Sequence, residues 1–273
     1  MQMRTENENR TGILVVSFGT SHRDACQKTI DRMEQEIRLC YPKIPVYRAW
    51  MSAHIRKKVE EQRNLHIFGV AEALEVMHQD GIERVIVQST HILNGIEQER
   101  MRQELYERQE LFREIRIGAP LLADLADCAY MAELMQKEWS VPEKAMLIFM
   151  GHGVSELWKC RDPFADEAYV RINALLAEQG CTTRMIGAME GSPSLEEVLL
   201  AVEKVKPEKV FLTPFMFVAG EHARNQMAGT QADSWKCILE KAGYQTECIE
   251  KGLGEYVGVR KRIREHLANT MRS

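Results

Sequence analysis

Three residues in the second half of the chain have the chemistry to hold a divalent metal ion. His152 stands in Phe149-Met-Gly-His-Gly153, directly after an apolar run; Glu190 in Gly187-Ala-Met-Glu-Gly-Ser-Pro193; and His222 closes Phe215-Met-Phe-Val-Ala-Gly-Glu-His222. Two imidazoles and a carboxylate suit divalent cobalt, nickel, iron or zinc and leave coordination positions open, without selecting among those ions. Each residue alone also has an ordinary reading. A loop histidine bonds to nearby backbone, a carboxylate beside a helix start favours the helix dipole, and a histidine just inside a helix is often half exposed. Position gives the three their joint weight, because each follows a successive apolar run of the same half. The glycines flanking His152 leave the backbone free to turn and a large ligand room to approach.

Placing those side chains together requires strands that end at a common edge. Strand-like apolar runs occur at 12–18, 44–49, 83–88 and 114–118, and again at 145–150, 182–189, 208–214 and 245–250. Amphipathic segments such as Thr29 to Leu39 and Leu195 to Val205 lie between them, with apolar residues at helical spacing. Strands alternating with helices read as parallel βαβ units with helices on both sheet faces. The two sets of four also echo each other locally. Gly19 and Gly151 each close an apolar strand, and Gly95 and Gly220 follow them by 76 and 69 residues. The expectation is an α/β fold of two flavodoxin-like halves, each a parallel sheet flanked by helices, related by pseudo-twofold symmetry. Residues 1–11 would be a polar tail, 12–140 the N-terminal half and 141–273 the C-terminal half carrying the metal site, with Trp139, Ser140 and Pro142 interrupting the helical pattern at the boundary. Ligands of such sheets bind beyond the carboxyl ends of the parallel strands, so the halves are expected to enclose a cleft between their loops.

Further residues fall at that edge. Ser17, Thr20 and Ser21, in Ser17-Phe-Gly-Thr-Ser21, read as a general anion or carboxylate site between strand and helix, although the spacing is neither a P-loop nor G-x-G-x-x-G. Ser89, Thr90, His91 and Asn94, in QSTHILNG, and Arg224 after His222 are further candidate contacts for an acidic ligand, and Phe215, Met216 and Phe217 are expected to shape apolar walls. His54, His78 and His266 lie in charged helical surroundings and read as solvated; His66 adjoins a loop and His22 follows one. The charged segment 97–113 reads as a helix with surface ion pairs.

Composition narrows the class. With 273 residues, 45% hydrophobic and 28% charged, the chain is an ordinary globular protein long enough for two α/β halves. A net charge of −4 with Lys and Arg scattered through the helices disfavours a nucleic-acid partner, and none is expected. No apolar run approaches the roughly 20 residues that span a bilayer, and the first ten residues are polar and unlike a signal peptide, so the expectation is a cytoplasmic protein with no membrane partner. Seven cysteines, an odd number without a C-x-x-C pair, read as reduced packing thiols and neither a disulfide framework nor a structural zinc site.

In this order and spacing, FMGHG, GAMEGSP and PFMFVAGEHARNQM, with SFGTS, QSTHILNG and DSWK at 233–236, resemble the anaerobic sirohydrochlorin cobaltochelatases of vitamin B12 synthesis, from about Gly12 to the final helix. The resemblance implies a pair of flavodoxin-like halves and ATP-independent insertion of Co2+ into a tetrapyrrole polycarboxylate, with divalent cobalt as substrate ion and neither nucleotide nor organic cofactor. It also implies that His152 and His222 are the active-site histidines and Glu190 their acidic partner. Residues 154–165 carry no match. The residues alone equally suit an iron or nickel chelatase, a non-catalytic tetrapyrrole or metal carrier, and a zinc hydrolase working through a metal-bound water; the absence of H-E-x-x-H spacing counts against the last. A homo-oligomer is compatible with all of these.

Overall fold

The computed structural model describes residues 10–154 and 162–273; nearly all of the polar tail and most of the unmatched 154–165 segment lie outside the described residues. Two compact units are present, Met1–Leu121 with Arg260–Ser273, and Leu122–Val259. In the first, β1 (Thr11–Ser17), β2 (Val46–Trp50), β3 (Arg84–Ser89) and β4 (Glu114–Ile117) form a sheet in the order β2-β1-β3-β4. In the second, β5 (Ala145–Gly153), β6 (Arg184–Glu190), β7 (Lys209–Phe215) and β8 (Thr246–Cys248) repeat it as β6-β5-β7-β8. All pairings are parallel, and the order is that of the first four flavodoxin strands. β1 and β5 are inner strands covered on both faces, which is why Ile13-Leu-Val-Val16 and Met146-Leu-Ile-Phe-Met150 are continuously apolar instead of alternating.

The helices of the first unit are α1 (Arg23–Lys28), α2 (Ile30–Cys40), α3 (Ala53–Arg63), α4 (Val70–Gln79) and α5 (Ile96–Tyr106); those of the second are α6 (Leu125–Glu138), α7 (Pro163–Glu178), α8 (Leu195–Val205) and α9 (Trp235–Lys241), with α10 (Val257–Arg272) closing the chain. Their apolar stripes meet the sheets. Val70, Ala73, Leu74 and Met77 of α4 pack on Leu14, Val16, Val85 and Val87. Val198 and Val202 of α8 pack on Met146, Ile148, Val210 and Leu212. α8 begins after Pro193, because Ser194 caps the Glu197 N–H while the Glu197 carboxylate accepts from the Ser194 N–H.

Two expectations change. The units divide after Leu121, not near residue 140, because α6 packs against α7 and its Tyr130 hydroxyl and Glu138 carboxylate bond to the Gly258 backbone, at 3.0 Å each. In the first unit, Arg260 and Arg264 of α10 bind Glu36 of α2 at 3.0 and 2.7 Å. The charged 97–113 segment is a helix only to Tyr106, and one face of it is core: Gln98, Met101 and Leu105 are buried. No helix among the described residues is long and apolar enough to cross a membrane.

Candidate active site

The end of β5 is built around two missing side chains. A Cβ on Gly151 would lie 2.5 Å from the Tyr169 ring, and one on Gly153 would lie 1.8 Å from the Glu190 carbonyl oxygen. Gly153 also has φ +82°, in the left-handed region that favours glycine. The two glycines thus let Tyr169 of α7 close beneath the strand and let the end of β6 come alongside, with Gly153 opposite Glu190 and the Val154 N–H donating to the Glu190 carbonyl at 3.2 Å. Tyr169 is buried, its hydroxyl accepts from the Gly153 N–H, and burial pushes that hydroxyl far above its usual range. Its ring meets Phe215 edge-on at 5.4 Å, so one tyrosine braces both the strand end that bears His152 and the strand end that leads to His222. The outer edge of β6 is held by Asn173 of α7, whose side-chain amide accepts from the Ile186 N–H and donates to its carbonyl, at 2.8 Å each.

Beyond β7 the chain enters a wide helical turn, Ala223–Met227, closed by the Ala228 N–H donating to the Ala223 carbonyl at 3.1 Å. Single wide turns of this kind recur at functional sites. Ala219, Ala223 and Met227 anchor it in the core of the second unit. His222 opens this turn, and its ring faces His152 with centroids 5.2 Å apart and planes nearly perpendicular at 86°. His152 is exposed and His222 half-buried. The Nδ1 of His222 is buried with no hydrogen-bond partner among the described residues. Burial holds the His222 pKa below the usual histidine value and His152 pushes the same way, while Gln226, Glu221 and Glu190 oppose them. The ring is therefore neutral at pH 7, the state that ligates a metal ion or accepts a proton.

Glu190 ends β6 with its side chain exposed. Among the described residues no group of three or more His, Cys, Asp or Glu side chains is arranged to hold a metal ion. The expected trio is thus present as a histidine pair, with Glu190 near enough to influence His222 electrostatically. Its backbone is fixed by Gly153, but its carboxylate projects into water from a strand terminus.

At the corresponding edge of the first unit, most of the expected substrate contacts are engaged by the fold instead. Ser17, Thr20, Ser89, Thr90 and His91 are buried. The Thr90 hydroxyl donates to the Ser17 hydroxyl at 3.0 Å, the Thr20 hydroxyl accepts from the His22 N–H at 3.2 Å, and His91 Nδ1 donates to the Gln98 side-chain carbonyl at 2.8 Å. Phe215 and Phe217 are also buried; Phe215 packs on Phe149 and Tyr169, so it supports the site from inside and does not line it. Ser21, Asn94, Met216 and Arg224 stay half-exposed, although the Ser21 carbonyl accepts from Arg63 and Asn94 accepts from Arg102 at 2.6 Å. His266, expected to be solvated, is buried. Sequence reasoning missed Tyr169. The only signal was indirect: two glycines around a histidine imply that something large packs against the strand.

A family model for cobalt chelatase (CbiK) matches residues 11–272. The sirohydrochlorin cobaltochelatase of Salmonella typhimurium (strain LT2) is 31% identical over 259 residues, covering 94% of this chain and 95% of its own. The sirohydrochlorin cobaltochelatase CbiKC of Nitratidesulfovibrio vulgaris (strain Hildenborough) is 31% identical over 254 residues, covering 91% of this chain and 86% of its own. The structure of SirB from Bacillus subtilis with Fe3+ shares the fold at a TM-score of 0.63 and 15% identity, covering 96% of this chain and 95% of that one. The sirohydrochlorin chelatase SirB of Bacillus subtilis subspecies spizizenii, in complex with cobalt, does so at 0.61 and 13%, covering 96% of each chain. With a family model spanning nearly its whole length and relatives above 30% identity end to end, the chain belongs to the cobalt chelatase (CbiK) family.

Proposed function

We propose that this chain inserts Co2+ into sirohydrochlorin, in the cytoplasm and at the metal-insertion step of anaerobic cobalamin biosynthesis, without nucleotide hydrolysis or an organic cofactor. The observation that carries the reading is the His152–His222 pair, 5.2 Å apart at the carboxyl edge of the second sheet in a chain of the cobalt chelatase family. An ion ~2.1 Å from one nitrogen of each ring fits between ring centres at this separation.

Metal insertion needs the ion's water shell stripped, two pyrrole N–H protons removed and the ring nitrogens brought to the ion. Imidazole suits the first two tasks, since in its neutral form it replaces a water ligand or accepts a proton. Burial keeps His222 in that form at pH 7. His152 and His222 share the ligand and proton-acceptor roles, and Glu190 offsets the charge of the incoming ion. Sirohydrochlorin is a polycarboxylate, and Arg224, two residues past His222 and half-exposed, supplies a cation for one of its acidic groups. Ser21, Asn94 and Met216 are the remaining half-exposed candidates for contact with it.

The test is direct. Purified protein mixed with sirohydrochlorin and Co2+ should accelerate the visible absorption change of metal insertion, with Co2+ ranking above Ni2+ and Fe2+, and His152→Ala and His222→Ala should remove the acceleration. Wild-type protein that leaves the rate at its background value, or variants that keep the full rate, would reject this function.

A further inference from the structure

In the first unit a cavity of about 590 Å³ opens between α1, the start of α2, β2 and the end of α3. Arg23, Arg48 and Arg63 contribute to its walls, with Asp31, Trp50 and the exposed Leu65. The charges divide unevenly. Arg48 is bound by Asp31 and, at 2.6 and 2.8 Å, by the buried Glu34, which also pairs with Arg38 at 3.2 Å. Those two guanidinium groups and two carboxylates cancel. Arg63 gives an N–H to the Ser21 carbonyl, a neutral acceptor, and has no ion-pair partner among the described residues. Arg23 has neither a hydrogen bond nor an ion pair among them. Two guanidinium charges are thus left uncompensated around one cavity, in a chain whose net charge is −4.

We propose that this cavity binds a dianion, a dicarboxylate or a phosphate, through Arg23 and Arg63, with its organic body against Trp50 and Leu65. Guanidinium forks match carboxylate and phosphate oxygens two bonds at a time, and the volume lies within the range of small-molecule sites. The Ser17 to Ser21 segment had the composition of an anion loop, but its hydroxyls at 17 and 20 are buried. The cations stand beside it instead: Arg23 two residues on, and Arg63 bonded to its last carbonyl. The anionic groups have two possible sources, a free small dianion or the carboxylate arms of the tetrapyrrole, and the second rests on the function proposed above.

Calorimetric titration of the full chain with inorganic phosphate and with succinate, at constant ionic strength, reads the site without reference to activity. Arg48 is left intact because removing it would strip the buried Glu34 of a cation at 2.6 Å, and matched melting temperatures establish that Arg23→Gln/Arg63→Gln is folded. The double variant should bind the anion at least about tenfold more weakly, the loss expected for charge-assisted bonds. If it also raises KM for sirohydrochlorin more than it lowers kcat, and phosphate competes with sirohydrochlorin, the site takes substrate carboxylates. If anion binding falls while KM is unchanged and phosphate does not compete, the site takes a free dianion. A double variant with anion affinity and KM both equal to wild type, or a wild type that binds neither anion together with a double variant of unchanged KM, would overturn the proposal. An inactive wild type would sink the chelatase reading alone and leave the calorimetric comparison standing.

Discussion

The two sheets have the same strand order and use their carboxyl edges in opposite ways. Past β3, His91 is buried, held through Nδ1 by Gln98, and kept below the usual histidine pKa by burial. Ser17 and Thr90 bond to each other beside it. Past β7, His222 is half-buried and faces the exposed His152. The glycines make part of the difference. Gly19, at φ +99°, brings the loop after β1 onto the Trp50 ring, where a Cβ would sit 2.8 Å away, and so closes the edge down. Gly151 and Gly153 instead admit Tyr169 beneath the strand and β6 beside it, leaving the His152 side chain outside. A strand-end histidine is made available for chemistry as much by what its neighbours lack as by its own identity.

The sharpest way to break this comparison is to remove one histidine from each edge. His152→Ala or His222→Ala should lower kcat/KM for cobalt insertion by about 10²–10⁴-fold, the range for a positioned proton acceptor. His91→Ala should leave kcat/KM within a few-fold and instead cost about 1–3 kcal/mol of stability in urea unfolding, because Gln98 loses its partner. Equal kinetic losses at His91 and His222 would erase the distinction. Gly153→Ala comes next. The clash with the Glu190 carbonyl should move His152 and Glu190 apart and lower activity by about 10²-fold. Gly81→Ala, at φ +78° but with open space around it, should cost only ~1–2 kcal/mol of stability and no activity.

Smaller effects sharpen the picture. Tyr169→Phe keeps the ring but leaves the Gly153 N–H without its acceptor, which should cost about 1–3 kcal/mol of stability and lower kcat/KM about tenfold, an estimate for a slight misplacement of His152. The pH dependence should be weakest. Because the His222 pKa is lowered, Co2+ affinity measured by calorimetry should hold from neutrality through about pH 6.5 and decline only as pH falls through the lowered value. His91 obeys the same sign in stability. Its folded pKa lies below the unfolded one, so the unfolded chain binds more protons, and stability is full above about pH 6.5 and falls below it until the folded value is passed. His91→Gln should flatten that segment of the stability curve.

Much of the architecture was legible in the amino-acid order because its signals are local. Each of the eight apolar runs overlaps a strand of the structure, and the amphipathic segment Leu195 to Val205 is α8 at both ends. The glycines around His152 already marked a turn, read as room for a ligand, whereas the structure fills the space beside them with Tyr169 and the end of β6. Tertiary structure decided which polar groups were left over for chemistry. Ser17, Thr90 and His91 read in the sequence as further contacts for a ligand, yet their partners lie at other positions along the chain: Thr90 for Ser17 and Gln98 for His91. Likewise nothing near residue 169 announces that this tyrosine braces the ends of β5 and β7. Periodicity reports which face of an element is apolar, whereas the meeting of side chains far apart in the chain depends on how the crossovers bring strand ends together. The sequence alone determined the alternating strands and helices and the motif set; only packing determined that two imidazoles, and not three or four polar clusters, face each other at the edge of the second sheet.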